Sequence, residues 1–555
     1  MNVYTARSAF VIPCFSRPKR KLSRLLAKLS IIFSYDHHWG NTIMTAAHSP
    51  LFEPVFWEQN GFRILDEILL PERIEYISVK HAWQALDAVH DMRTRAFGQV
   101  LTFLYSGALI AENYQGKEVE PLRHSVRRLT QQFCQARPTF DFRGLGQYFE
   151  DWFDKLPEDV NAGEWITSQA RDLAAQIVCA RVRRAKRTAE ILPDPARVLT
   201  HCNVSGELVA VAQHCQSLGK EFAVIATETR PYLQGARLTA WELARAGVAV
   251  SLIPDCAIAQ VMAKGEVNAV IVGSDRAAQN GDIINKVGTY PLALMAKEYD
   301  IPFHALIQDP RSLTRGSDVP IEERPASELL TFHGQRLIAD DKIASRYPAF
   351  DVTPAALITH LIGFDDLYTP ESFRRKHQPQ NITETRPAKR DSKYLLIYGV
   401  PPQNQYDYLI SALKAEQANC LLVPEMRPQL WGVHAVAPAL LRRNAPTTLI
   451  SDNMMGTLFA QGEIRKLYLY YSGLDEQGPS GICGSLLSVR LAQNHGVAIE
   501  LLASEPQTDL TVDSDVSTFM GTGICPTGVF IRPVETEVVP WALFKESKRT
   551  TDAKV

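Results

Sequence analysis

Few of the signatures that announce a chemistry occur in this chain of 555 residues. Its nine cysteines are Cys14, Cys134, Cys179, Cys202, Cys215, Cys256, Cys420, Cys483 and Cys525. No two are spaced C-x-x-C and the number is odd, which argues against a zinc knuckle or a disulfide framework and fits a reducing, cytoplasmic compartment. No run of about 18 apolar residues occurs, so no membrane-spanning helix is expected. The net charge is only −2, which supplies no global field for nucleic acid, although a local anion site remains open. There is no G-x-G-x-x-G and no Walker motif, so nucleotide binding by those routes is unsupported. Acidic residues are missing from Met1 to Tyr35, where Arg17, Lys19, Arg20, Lys21, Arg24 and Lys28 cluster. That segment reads as a targeting peptide or, preferably, as an extension from an upstream start, with Met44 opening the working protein.

What is present is ordinary globular material, 46% apolar and 22% charged, enough for roughly three domains at about 150 residues each. After an extension over 1–48, residues 49–196 read as a mainly helical domain. From about Phe62 onward the pattern is helical, with Trp83, Leu86, Val89 and Met92 at helix spacing, and Pro193 and Pro195 end it. From Arg197 the rhythm changes to short apolar runs ("RVLTHCN", "EFAVIAT", "AVSLIPD", "AVIVGSD", "PFHALIQ") separated by helical stretches. Runs apolar on both faces, alternating with helices, predict a parallel sheet covered by helices, a Rossmann-like domain over 197–368. Residues 369–393 are polar and aperiodic and read as a linker. Residues 394–545 repeat the α/β domain, with a tail over 546–555. Glu425, Arg427, Pro428, Gly432, Asp452 and Gly462 fall at one constant offset from Glu228, Arg230, Pro231, Gly235, Asp255 and Gly265. "EVVPWALF" likewise echoes "DVTPAALI". The expected fold is therefore α/β: an N-terminal helical domain, a Rossmann-like parallel-sheet domain, then a second, degenerate copy of it.

Ligands of parallel sheets bind where strand ends enter helices. Four such ends carry polar residues: His201, Cys202 and Asn203; Glu228 through Gln234; Asp255; and Asp275 with Arg276. Cys202 reads either as a buried thiol or as a group able to exchange protons if nearby positive charge lowers its pKa. His201 reads as its hydrogen-bonding neighbour, because adjacent strand residues point to opposite faces. Asp275, ending an apolar strand, reads as a helix cap, as a partner of Arg276, or as a general acid with a raised pKa. Asp255 ends a strand in both copies, which favours a structural role. Asn285, Lys286, Gly288 and Thr289 stand where a helix begins, and free amides beside a lysine suit a phosphate; the plainer reading is a capped helix start.

"LTHCN", "ETRPYLQGARLTAWEL", "MAKGEVNAVIVGSDR", "NGDIINKVGTYPLALMAKEYDIPF", "PIEERPASEL" and "YPAFDVTPAALIT" resemble the methylthioribose-1-phosphate isomerases, within the wider family of initiation factor 2B α, β and δ subunits. The resemblance spans about residues 60 to 365. It implies an aldose–ketose isomerase that opens a furanose 1-phosphate and moves hydrogen from C2 to C1, in methionine salvage. Asp275 would be the proton donor, Cys202 would stabilise or relay protons, and Arg95, Arg137, Gln234, Asn285 and Lys286 would bind the sugar phosphate. No metal or organic cofactor is implied, and no nucleic acid or membrane partner. Isomerisation of another pentose 1-phosphate (5-deoxyribose 1-phosphate, ribose 1,5-bisphosphate) and a non-catalytic, ligand-binding regulator are the alternatives.

Two departures stand out. The family's substrate loop R-G-A-P-A-I is Arg95-Ala96-Phe97-Gly98-Gln99-Val100 here, and A-V-N-L after Arg137-Pro138-Thr139 is Phe140-Asp141-Phe142-Arg143. In the second copy, Gly399, Ser472 and Trp431 stand for Cys202, Asp275 and Gln234, and Ile482 and Cys483 for Asn285 and Lys286. This copy is expected to be catalytically dead. The partner expectation is accordingly a homodimer or an internal pseudo-dimer.

Overall fold

The computed structural model describes residues 49–138, 140–377, 393–504, 515–533 and 536–544. The expected extension and tail, and the linker from residue 378 to 392, lie outside the described residues. Among the described residues the fold is mixed α/β with a parallel-sheet core.

The N-terminal region opens with a three-stranded antiparallel sheet, Val55–Glu58, Gly61–Leu65 and Tyr76–Val79. Phe62 thus lies in a strand and not at the start of the expected helical pattern. Five helices follow: Ala82–His90, Ala96–Glu112, Val119–Ala136, Phe142–Asp154 and Ala162–Ile191. The last starts at Asn161, whose side chain accepts from the Glu164 amide at 3.0 Å, and stops before Pro193, which cannot continue a helix. Phe103, Phe133, Phe142 and Phe149, all fully buried, pack at ring separations of 5.0 to 5.8 Å, the edge-to-face geometry aromatic cores prefer.

Two sheets follow. The first runs, across its width, Phe530–Ile531, Ala249–Ile253, Phe222–Thr227, Ala196–Thr200, Ala269–Val272, Phe303–Leu306, His360–Ile362 and Leu367–Tyr368. All pairings are parallel except the last. The second runs Ala344–Ser345, Thr447–Ile450, Cys420–Pro424, Tyr394–Tyr398, Ile464–Tyr471 and Ala498–Ala503, all parallel. After the first strand of each, the next five strands correspond one for one; among the described residues, His360–Ile362 and Leu367–Tyr368 of the first sheet have no counterpart in the second. That first strand is exchanged: Phe530–Ile531 joins the first sheet and Ala344–Ser345 the second. The expected linker begins with a helix, Pro370–His377, whose Phe373 is buried.

Local details recur between the sheets. Asp255 accepts from the amides of Thr229 and Arg230, each at 2.7 Å, and Asp452 from those of Met426 and Arg427, each at 3.0 Å. This is the structural role expected of Asp255. Thr229 and Met426 have φ of 59° and 57°. Between the sheets, Arg230 forks onto Glu425 at 2.6 and 2.9 Å, and Arg427 onto Glu228 at 2.9 to 3.1 Å. All four side chains are at most 1% exposed. Paired charge is the form in which four ions tolerate such burial.

Candidate active site

The strands Ala196–Thr200 and Ala269–Val272 are hydrogen-bonded neighbours, so their ends lie one strand spacing apart, about 4.8 Å. On either side of this pair the chain order of the sheet reverses, the switch point at which doubly wound folds bind ligands. Cys202 follows the first strand and Asp275 the second. The two residues expected to carry chemistry therefore project from adjacent loops at one crevice.

Cys202 is held in a left-handed backbone conformation, φ 66°, by two threonines: its amide donates to Thr229 Oγ1 at 2.9 Å, and its carbonyl accepts from Thr239 Oγ1 at 2.6 Å. The residue is 8% exposed. Burial pushes its pKa up to about 11, against the pull of Lys286 and Arg95, so the resting group is a thiol. The lowered pKa that the sequence allowed for is not found, because desolvation outweighs two cations. Asp275 is an exposed residue. Desolvation by the surrounding protein nevertheless raises its pKa, and Lys286 and Arg137 oppose the rise.

Lys286 ends the strand Ile283–Lys286, which pairs with Phe350–Thr353. It is 7% exposed, and its ammonium lies 4.8 Å from the Phe350 ring centroid and 5.7 Å from that of Tyr232. No carboxylate pairs with it among the described residues. Burial lowers its pKa, and Cys202 and Asp275 partly restore it. Arg95, at the start of the helix Ala96–Glu112, has its amide bound by Glu67 at 2.9 Å, and its charge acts on both Cys202 and Lys286. Arg137, ending the helix Val119–Ala136, lies against Met92 Sδ, and burial lowers its pKa while Glu322 and Asp275 raise it. The geometry thus gathers Cys202, Asp275, Lys286, Arg95 and Arg137 into one electrostatic neighbourhood. Gln234 lies on the adjoining loop with its buried Oε1 lacking a partner. Asn285 alternates with Lys286 along the strand, and its amide donates to Thr289 Oγ1 at 3.0 Å.

Two expectations need correction. The amides at the start of the helix Thr289–Glu298 are not free for a phosphate: Asp351 Oδ2 accepts from Gly288 N at 2.7 Å and Tyr290 N at 3.0 Å, so the capped-helix reading holds. In the second unit the register slips by one residue. Ser472 N donates to Ser480 O as Asp275 N does to Ile284 O. Tyr398 OH donates to Cys483 O as His201 Nε2 does to Val287 O. Gly481 and Ile482, not Ile482 and Cys483, thus occupy the places of Asn285 and Lys286.

His201 is the neutral neighbour expected. Nε2 donates to a carbonyl at 2.8 Å, so Nδ1 accepts from Thr227 Oγ1 at 2.7 Å, and burial lowers its pKa to about 4. Phe97 stacks at 3.9 Å on the guanidinium of Arg181, a buried residue bound to Glu207 at 2.7 Å. Tyr232, Arg324 and Tyr347 border the same crevice and were not singled out from sequence. All three lie within the quoted motifs, but nothing local marks them. Among the described residues no group of three or more His, Cys, Asp or Glu could hold a metal.

Comparison with known proteins matches this construction. Residues 100–363 fit the initiation factor 2 subunit family. The chain is 36% identical over 343 residues to the methylthioribose-1-phosphate isomerase of Desulforudis audaxviator, covering 97% of that protein and 58% of this one. It is 38% identical over 316 residues to that of an Anaeromyxobacter species, covering 88% and 54%. The chain belongs to the methylthioribose-1-phosphate isomerase family. Its fold overlays the 5-methylthioribose 1-phosphate isomerase of Pyrococcus horikoshii with a TM-score of 0.53 at 32% identity, covering 96% of that chain and 59% of this one. An A. fulgidus protein titled translation initiation factor eIF-2B subunit delta gives 0.50 at 32%, covering 96% and 57%. This family member carries a second sheet, Tyr394 onward, beyond the family match.

Proposed function

We propose that this chain is an aldose–ketose isomerase converting 5-methylthioribose 1-phosphate to 5-methylthioribulose 1-phosphate, a step of methionine salvage. The observation that carries this reading is the meeting of Cys202 and Asp275 at one strand-end crevice beside three cations that, among the described residues, have no carboxylate partner at bonding distance. Relatives bearing that activity in their names are matched over nearly their whole length.

The reaction needs a proton delivered to the ring oxygen, a proton taken from O2, and one hydrogen moved from C2 to C1. Asp275, its pKa raised by the protein around it, donates to the ring oxygen as the C1–O4 bond breaks. Lys286, Arg95 and Arg137 hold the phosphate. Cys202, a thiol at rest, relays the hydrogen in a balanced exchange, its sulfur accepting the proton that leaves C2 as its S–H proton is delivered to C1, and the Asp275 carboxylate left by ring opening takes the O2 proton. The test is turnover of 5-methylthioribose 1-phosphate, ribose 1,5-bisphosphate and 5-deoxyribose 1-phosphate by the wild type and by Asp275→Asn. A loss of about 10²- to 10⁴-fold is expected; equal rates remove Asp275 from the chemistry.

We also infer that residues 394–545 form a degenerate, catalytically silent copy that packs on the first as an internal pseudo-dimer. The shared strand order, the exchanged strands and the reciprocal arginine–glutamate forks support this. Tyr470 stands in the place of Gly273, and a Cβ at Gly399 would come within 2.5 Å of the Tyr470 carbonyl, so no cysteine fits there. Trp431, 8% exposed, fills the place of Gln234. Among the described residues no helix is long and apolar enough to cross a membrane, and the described cysteines are free, which supports a cytoplasmic setting. Sedimentation velocity of the full chain should give a 62.0 kDa monomer; a dimer joined through the first sheet's Glu228–Arg230 loop would overturn the pseudo-dimer.

A further inference from the structure

Beside the crevice stands a group with no assigned work. Tyr347 is 1% exposed, yet its hydroxyl has no hydrogen-bond partner among the described residues. The rest of the residue is firmly placed. Its amide donates to Glu323 Oε2 at 3.2 Å, its carbonyl accepts from the Arg324 amide at 2.8 Å, and its ring meets that of Tyr232 edge-on at 6.1 Å. Tyr232 is the residue whose ring the Lys286 ammonium faces at 5.7 Å, and it lies two positions before Gln234, whose Oε1 is also buried and unpartnered. Cys202 completes the setting: it lies close enough to couple electrostatically to the Tyr347 phenol. A phenol anchored at backbone and ring, with its polar end left unsatisfied beside the thiol, wastes a hydrogen bond in the empty protein.

Resting on the isomerase reading, we propose that Tyr347 is a substrate-binding residue whose hydroxyl hydrogen-bonds a hydroxyl group of the sugar. The phosphate is the other candidate partner, and the charges argue against it. Lys286, Arg95 and Arg137 gather by Asp275 and Cys202, whereas the ionised groups facing Tyr347 are Glu328 and Arg324. Those two pair with each other, and Tyr232 donates to Glu328. That corner offers no net positive charge for a dianion, and a neutral hydroxyl, which both donates and accepts, matches a phenol that does the same.

Tyr347→Phe removes one oxygen and keeps the ring packing. Three measurements read it together: kcat/KM for 5-methylthioribose 1-phosphate, competitive inhibition by inorganic phosphate, and the melting temperature of the ligand-free protein. The expected result is a 10- to 100-fold fall in kcat/KM, phosphate inhibition unchanged, and a melting temperature equal to or above that of the wild type, because an unpaired buried hydroxyl has gone. Unchanged kcat/KM overturns the proposal. So does a fall accompanied by parallel losses of melting temperature and phosphate inhibition, which marks a merely structural ring. A wild type that fails to turn over the sugar sinks the isomerase reading separately. Calorimetric titration with ribose 1-phosphate then reads Tyr347: weaker binding by Tyr347→Phe supports its role, and equal affinity overturns it.

Discussion

Replacing Glu425 by alanine isolates the force that joins the two sheets. Glu425 is fully buried and takes two guanidinium hydrogen bonds from Arg230, at 2.9 and 2.6 Å. Arg230 also donates to the Pro231 carbonyl at 2.5 Å and, from the same Nη2 that Glu425 holds, to the Leu329 carbonyl at 3.5 Å, and lies 4.0 Å from the Phe519 ring. Removing the carboxylate leaves a guanidinium ion, 1% exposed, with its Nε–H orphaned, Nη2 left a distant carbonyl, and, among the described residues, no counter-charge at bonding distance. Breaking one side of a buried pair costs about 3–5 kcal/mol, mostly as the penalty on the survivor. The retained carbonyls and ring place this case near the lower end, about 3 kcal/mol. The mirror change Glu228→Ala should cost less, because Arg427 keeps the Pro428 and Thr518 carbonyls at 2.7 and 2.8 Å. Arg230→Met with Glu425→Leu removes both charges and should recover most of the loss, because no ion is left stranded. Urea unfolding followed by circular dichroism, extrapolated linearly to water, measures each. A loss below about 1 kcal/mol for Glu425→Ala, the worth of a surface pair, would show that water reaches Arg230 and would refute the argument.

Other expectations follow from the same contacts. Because Asp275 acts protonated and its pKa is raised, kcat/KM should be flat at low pH and fall about tenfold per unit above that pKa, with the break above the ordinary aspartate value of about 3.9; a profile that falls toward acid assigns Asp275 the role of base. Cys202, with its thiol pushed to about 11, should be alkylated by iodoacetamide more slowly at pH 7 than the exposed Cys179, its rate still climbing at pH 10; mass spectrometry of digests reads both sites. Gly288→Ala places a Cβ 2.7 Å from His201 Nε2 at a residue with φ of 106°. It should cost more than about 1–2 kcal/mol in the same unfolding assay and should lower affinity for phosphate by shifting Lys286.

Much of the site was legible before folding because its logic is local. An apolar strand that ends in a polar loop places Cys202 and Asp275 at the same end of a parallel sheet, and alternation along "LTHCN" turns His201 away from the crevice. The constant offset between Glu228 and Glu425 likewise marked the two halves as related. The antiparallel sheet at Val55–Val79 was hidden because four- and five-residue strands carry too little periodicity to stand out from a helical neighbourhood. The exchanged strands Ala344–Ser345 and Phe530–Ile531 are two residues long and have no pattern at all; only the edge they complete defines them.

By itself, then, the sequence determined the strand–helix order, the resemblance to the isomerases, and the placement of Cys202 and Asp275 after apolar strands, since each follows from neighbours along the chain. Tertiary structure alone decided that Asp351, far along the chain, caps the helix start that looked free for phosphate. It alone decided that the second unit's register slips by one residue, and that burial overrides two cations to hold Cys202 as a thiol. Those outcomes depend on desolvation and on partners brought from 60 or more residues away, such as Asp351 onto Gly288 and Tyr290, and neither quantity is encoded in local spacing.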